Sequence, residues 1–177
     1  MRNILEKAND RGRSDFGWLK SHHSFSFGEY HNTNRMGFGK LLVINDDWVE
    51  PSRGFDTHPH RDMEIISIPL SGSLYHKDSM GNEHIVKEGE VQRMTAGTGI
   101  RHSEYNASDT EMVNFLQIWV LPKKKDLTPS YDQKQFEKTQ RENQFQLILS
   151  PNGLDGSLSI HQDAWLSLAK IGSNKKI

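Results

Sequence analysis

Apolar residues in this chain alternate with polar ones or bunch in short runs, and no segment repeats with the period of a helix. From Ser21 to Phe27, His23, Phe25 and Phe27 share one parity while Ser24 and Ser26 take the other, which predicts a half-buried strand. Gly37-Phe38-Gly39 is turn-like, Lys40–Asn45 supplies the next strand, and Asn45-Asp46-Asp47 reads as the turn that ends it. After a loop at Pro51–Asp56, Thr57–Leu70 forms a central strand or strand pair. Counting by two from His58 places His60, Asp62, Glu64, Ile66, Ile68 and Leu70 on one face, polar at its start and apolar at its end. A barrel that is wet at one mouth and packed at the other would give this pattern. Pro59 cannot donate to a ladder and is expected at an edge or bulge. Turn signals at Ser71-Gly72-Ser73 and Asp78–Asn82 flank a hairpin strand at Leu74–Lys77. Val91–Thr95, Ile100–Asn106 and the strongly apolar Met112–Leu121 complete the series. Short strands at this spacing predict an all-β barrel or sandwich.

Composition changes after Pro122. Lys123–Asn143 is charged and polar, a connector with one helical turn expected around Asp132–Lys138. Strand character returns over Gln144–Ile171, at Phe145–Leu149, Ser157–His161 and Ala164–Ile171, with a turn at Pro151-Asn152-Gly153. Three short strands are too few to enclose a core, so they are expected to pack on the first barrel or on a partner subunit. The predicted organisation is a first domain over 1–135, a linker at 136–143 and a second segment over 144–177.

The 177 residues correspond to about one domain. A formal net charge of −1 gives no electrostatic footprint for nucleic acid or an anionic membrane, and Lys123–Lys125 and Lys175–Lys176 are too short to change that. No apolar run approaches the roughly 20 residues of a membrane span, and Met1–Asp10 has no apolar signal core, so a soluble cytoplasmic protein is expected. The chain has no cysteine, which excludes disulfides, thiolate metal sites and cysteine nucleophiles. Against that it has nine histidines, a ratio that points to nitrogen and oxygen ligation.

Two pairs carry the candidate chemistry: His58 with His60, and His102 with Glu104. Residues two apart on a strand share a face about 7 Å apart, so two facing strands can bring three imidazoles and a carboxylate to one point. Imidazole and carboxylate suit iron(II), manganese, nickel, cobalt, copper or zinc, and four ligands in an octahedral shell leave two positions open for chemistry. Gly97 and Gly99 are read as a turn needing positive φ, which sets the angle at which His102 enters.

Gly54-(x3)-His58-x-His60-(x3)-Glu64 followed by Gly72 resembles the first cupin motif, and Gly89-(x7)-Gly97-(x4)-His102-(x3)-Asn106 resembles the second. The fuller runs from Thr57 to Glu64 and from Gln92 to Glu104 are similar to those of the pirin family in particular. So are Ser24–Phe27, Met36–Gly39 and Asp78–Asn82. The resemblance is dense from Phe16 to about Tyr131 and resumes over Leu147–Asp163. It implies a cupin jelly-roll barrel with a truncated second cupin-like segment, and an exposed sheet edge there predicts a homodimer or an arm-exchanged assembly. It implies His58, His60, His102 and Glu104 as ligands of one metal, commonly iron(II), and a Glu64 that orients a ligand from behind or is a buried acid paired with Arg61 or a backbone donor. The implied activity is a quercetinase-type dioxygenase that opens a flavonol-like aromatic enol with O2, Glu104 acting as the base. The rival expectations are a metal- or redox-dependent regulatory binding protein, as nuclear pirin is, and a different cupin reaction such as isomerisation.

The remaining histidines lack a partner at metal spacing. His22 and His23 are expected to be packed or solvated, with one of them a candidate for the barrel mouth, and His31, His76, His84 and His161 are expected at the surface. Trp48, Trp119 and Trp165 read as core anchors, and Phe25, Phe27, Phe38 and Met94 as core residues that are also candidates for a cavity lining.

Overall fold

The computed structural model describes Leu5 and residues 7–176, so the polar stretch Met1–Asp15, which by its sequence reads as a leading strand or arm, lies partly outside the described residues. Its described part is a short 3-10 turn at Ala8–Asp10 and strand β1 (Gly12–Asp15). There follow β2 (Leu19–His23), β3 (Leu41–Val49), β4 (Gly54–His60), β5 (Glu64–Ser71), β6 (Ser73–Asp78), β7 (Glu83–Lys87) and β8 (Glu90–Thr95). Then come β9 (Ile100–Asn106), β10 (Val113–Val120), β11 (Ser130–Gln135), β12 (Gln146–Ser150), β13 (Leu158–Ser159) and β14 (Leu166–Leu168).

A seven-stranded sheet, ordered β1-β2-β3-β10-β5-β8-β11, lies against a four-stranded sheet ordered β4-β9-β6-β7. Their inner faces meet in two apolar clusters. Leu19, Val49, Leu74, Val86, Val113 and Phe115 form one, and Ile65, Met94, Ala96 and Ile100 the other. Between these clusters the inward-facing residues are polar, and the candidate site lies there. The outer face of the large sheet is covered in turn by the three-stranded sheet β13-β12-β14. Ile66, Ile68, Val91, Ile118 and Val120 pack there against Phe136, Ile148, Leu149, Leu158 and Ile160. The C-terminal strands thus pack on the first barrel. Burial on both faces explains why Ile65–Ile68 and Phe115–Val120 are nearly continuous apolar runs.

Three local expectations are corrected. Asn45-Asp46-Asp47 is no turn; it lies in the middle of the nine-residue β3, paired with β2 on one side and β10 on the other. Asn and Asp favour turns by local hydrogen bonding, but here two neighbouring ladders override that preference. The count by two from His58 also breaks. Asp62 takes φ +49 in the Arg61–Met63 corner, where the chain leaves the small sheet as β4 and enters the large one as β5. Glu64 therefore projects to the opposite side of the large sheet from the histidines. Finally, the helical turn expected around Asp132–Lys138 is strand β11, paired with β8, and the only turn of helix nearby is a 3-10 turn at Lys138–Arg141. As an edge strand with little burial, β11 has the composition of a loop. Pro59 sits on β4, the edge of the small sheet, where its missing N–H costs no ladder bond.

Candidate metal centre and pocket

The β4–β9 ladder sets His58 directly opposite His102 and His60 opposite Ile100, with an irregularity between Phe55 and His58. Gly54 allows this close approach: a Cβ there would lie 2.3 Å from the Glu104 carbonyl oxygen. The ring centroids are 4.5 Å apart for His58–His102, 4.8 Å for His58–His60 and 4.9 Å for His60–His102. One nitrogen from each ring lies within 4.8 Å of the others, a spacing a single ion can satisfy. Glu104 belongs to a second, overlapping set. Its carboxylate, His102 and His76 also lie within 4.8 Å of one another. Of the four residues singled out in the sequence, three imidazoles converge, and Glu104 joins them through His102.

Hydrogen bonding fixes several roles. His58 Nδ1 lies 2.6 Å from the Asp56 carbonyl oxygen, an acceptor that can only receive, so Nδ1 carries the proton and Nε2 keeps its lone pair free. His102 is 1% exposed, and neither ring nitrogen has a hydrogen-bond partner. An imidazole buried without partners is costly; a metal ion bound to one nitrogen removes part of that cost. Burial, then the charge of Glu104 working against it and the neighbouring His58 and His76, leaves the His102 pKa at about 4. Burial and the adjacent His102 and His58 likewise push His60 down to about 4. Both rings are neutral at neutral pH, the state a metal requires.

Glu104 is the junction of the two sheets. Ser67 donates to Oε1 at 2.7 Å, Gln92 to Oε1 at 3.1 Å and Gln117 to Oε2 at 2.6 Å. Burial would raise its pKa, but His102, Ser67, His76 and Gln117 together outweigh burial and hold it below the usual carboxylate range. It is an anion fixed by three donors.

A pocket of about 420 Å3 opens onto this site, within the range of small-ligand cavities. Phe16, Trp18, Phe27, Phe55 and Trp119 wall it, and His58, His60, Glu104 and Gln117 line it as well. Trp119 packs edge-on against His60 at 4.9 Å and against Phe27 at 5.4 Å. A second polar group faces the pocket from β2 and β3: Ser21, His23, Asn45 and Asp47. His23 is 3% exposed and is held at both nitrogens, Nδ1 with Asn45 Oδ1 at 2.8 Å and Nε2 with Ser14 Oγ at 2.9 Å.

The structure revises several assignments. Glu64 is fully buried and faces away from the histidines, so it orients no ligand. It is a structural acid, but its partners are Thr95 Oγ1 at 3.1 Å and His161 Nδ1 at 3.3 Å, whereas Arg61 pairs with Asp126. That makes His161, expected to be a free surface residue, the link between β5 and the C-terminal segment. His76 is not at the surface; it is fully buried, with Nε2 3.2 Å from Asp78 Oδ2. Trp48 and Trp165 are exposed and anchor no core, and Phe38 is 77% exposed, whereas Trp119 packs against the Ile65–Met94 cluster as expected and also walls the pocket. His76, Asn45, Asp47, Ser67, Gln92 and Gln117 were missed. The available signal was a polar residue at a strand position whose parity is otherwise apolar, as with Asn45 and Asp47 between Val43 and Val49.

Facing antiparallel sheets around a histidine-rich site at the base of a pocket define a cupin. Residues 5–120 match the Pirin family and residues 147–177 match the quercetinase C-terminal cupin domain. The chain belongs to the pirin family. It is 54% identical over 159 residues to quercetin 2,3-dioxygenase of Escherichia coli K12, a match covering 90% of this chain and 68% of that protein. It is similar to the crystal structure of YhhW from Escherichia coli, with 53% identity and a TM-score of 0.87 over 91% of this chain and 68% of that one. It is also similar to the bacterial pirin YhhW in complex with nickel(II), with 52% identity and a TM-score of 0.84 over 89% of this chain and 66% of that one.

Proposed function

We propose that this protein is a metal-dependent dioxygenase that opens flavonol-type aromatic enols with O2. The observation that carries the proposal is His102, buried with two unpartnered nitrogens, set between His58, His60 and a fixed carboxylate beneath an aromatic-walled pocket. His58, His60 and His102 would hold the ion, with Glu104 as the nearest acid; iron(II) and nickel(II) both suit this donor set. When bound, a divalent transition ion supplies Lewis acidity toward the enol oxygen and a means of engaging O2.

The chain's own residues do the rest. Phe27, Phe55, Trp18 and Trp119 offer ring faces and edges that hold a planar aromatic and exclude water. Glu104 is the base that faces the pocket beside His58 and His60. Its Oε1 receives two donors and its Oε2 only Gln117, so Oε2 is the oxygen that takes the enol proton. The name of the Escherichia coli relative supports the same substrate class.

The test is to load the protein with iron(II) or nickel(II), add quercetin in air, and follow flavonol absorbance together with O2 uptake. Loss of absorbance with matched O2 consumption is expected, and Glu104→Gln should bind metal more weakly and lose turnover at least about a hundredfold, the lower end of a general base's contribution. Metal uptake without any change in absorbance would sink the proposal and leave a binding protein. Full activity in Glu104→Gln would remove that residue from the mechanism.

A further inference from the structure

Asp47 is a carboxylate without an evident structural task. It is 4% exposed, lies in the wall of the pocket, and has an oxygen, Oδ1, with no hydrogen-bond partner. Its strand neighbours explain how it got there. On β3, Val43, Asn45, Asp47 and Val49 point inward, and the β2–β3 ladder sets Ser21 directly opposite Asp47 and His23 opposite Asn45. On its other side Asp47 faces Phe115 of β10, two residues from Gln117, the residue that reaches Glu104. Asp47 therefore lies on the strand next to Gln117 and two residues further along, roughly 7–8 Å away on the diagonal, on the side opposite to Trp119, which touches His60. The charged residue next to it in sequence, Asp46, faces the opposite side and pairs with Arg11 at 3.3 Å. No cation reaches Asp47 among the described ion pairs.

A buried carboxylate with one oxygen left without a partner costs stability, and such costs are retained where a ligand relieves them. Its neighbours narrow the ligand. Asp47 accepts hydrogen bonds, and His23 beside it has both nitrogens already engaged. Phe16, Trp18 and Leu19 complete the wall at this end, so the group that arrives is attached to an apolar or aromatic body. A hydroxyl on such a body needs one acceptor, which Asp47 supplies.

We propose that Asp47, backed by Ser21 and the His23–Asn45 pair, is a specificity-determining subsite that receives a phenolic hydroxyl of an aromatic substrate, at the end remote from the histidines. The subsite rests on the reading that a flavonol-type aromatic occupies the pocket. A turn about the Cβ–Cγ bond, which is a soft torsion in Asp, exchanges the two oxygens and presents the unpartnered one. Burial first, then the charges of Glu104 and Asp46, push the carboxyl up to about 7 against the opposing effect of Ser21, which leaves it a strong acceptor in its ionised form. A site built around such a group discriminates against an analogue that lacks the hydroxyl.

The experiment compares two flavonols that share the enol and carbonyl, quercetin and 3-hydroxyflavone, the second lacking all other hydroxyls. Nickel(II)-loaded protein is titrated with each by calorimetry in the absence of O2. Quercetin should bind at least about tenfold more tightly, the effect expected of one hydrogen bond to a charged acceptor. Asp47→Leu should lower that ratio at least about fivefold while leaving 3-hydroxyflavone affinity within about twofold, and it should melt no lower than the parent protein. Asp47→Asn keeps an acceptor oxygen and should fall between the two. A ratio unchanged in either variant overturns the proposal, as does a parent ratio near one. Should Asp47→Leu not fold, the Asp47→Asn ratio decides by itself, with a drop of about threefold or more expected. Asp47-dependent selectivity without turnover in air would keep the subsite and sink the dioxygenase reading. Turnover with no dependence on Asp47 would do the reverse.

Discussion

Gln117 donates its side-chain amide to Glu104 Oε2 across 2.6 Å, and this contact joins the two sheets at the level of the histidines. Gln117 is one member of a polar row that crosses the large sheet. His23 pairs with Asn45, Asn45 with Gln117, Gln117 with Ser67, and Ser67 with Gln92, each directly opposite the next. Three members of the row, Gln117, Ser67 and Gln92, converge on Glu104, and His23 and Asn45 face the pocket. A row of this kind trades core packing for a held carboxylate and a polar patch in an otherwise apolar wall.

Gln117→Leu removes the one donor to Oε2 and leaves a buried carboxylate oxygen unsatisfied. The expected cost is about 1–3 kcal/mol, seen as a lower denaturant midpoint with an unchanged slope. A midpoint equal to that of the parent would mean that water or another donor replaces the amide.

Metal binding should register as thermal stability. At an ion concentration about 100 times its dissociation constant the folded state gains about 2.7 kcal/mol, which for a chain of this size raises the melting temperature by roughly 5–10 °C. His102→Ala should show no such rise with nickel(II) or iron(II), and His76→Ala should keep most of it. An equal loss in both variants would place the ion in the second set, with His76, His102 and Glu104.

Gly54→Ala tests the spacing between strands. The added methyl would stand 2.3 Å from the Glu104 carbonyl oxygen and 2.4 Å from Tyr105 Cα, both backbone atoms that cannot give way alone. The β4 edge must move outward, taking His58 from His102. Nickel(II) affinity measured by titration should fall at least about tenfold, with a stability loss of about 1–3 kcal/mol. Unchanged affinity would show that the ladder relaxes elsewhere.

Asp47 gives a pH dependence of stability with a definite sign. Its folded pKa, at about 7, lies above the ordinary aspartate value of 3.8, so between those values the folded chain binds the proton more readily than the unfolded one. The contribution of protonated Asp47 is fully present below about pH 4 and is lost as the pH rises through about 7. The difference in unfolding free energy between Asp47→Asn and the parent should therefore widen in favour of the variant from pH 4 to pH 8, as chemical denaturation would report. A constant difference across that interval would mean that Asp47 titrates normally.

The strand pattern was legible along most of the chain because a period of two is a local property. Ile100–Asn106 is found at its expected bounds, and His102 and Glu104 share a face because nothing interrupts that strand. The same rule failed at Glu64, where the chain changes sheets at Asp62, and a parity count cannot cross such a corner. It failed again at Asn45–Asp47, whose turn-forming chemistry says nothing of the ladders on either side. The polar edge strand β11 looked like a connector because it has little burial to advertise.

By itself the sequence determined the β-strands, the two histidine-bearing motifs and the absence of thiol chemistry, since each depends on residue type and short spacing. Only the tertiary structure decided which side of a sheet is the inside of the barrel. That choice turned Glu64 away, buried His76 beside Glu104 and pointed Asp47 into the pocket, because a side chain's environment is set by strands distant in sequence that pack against it.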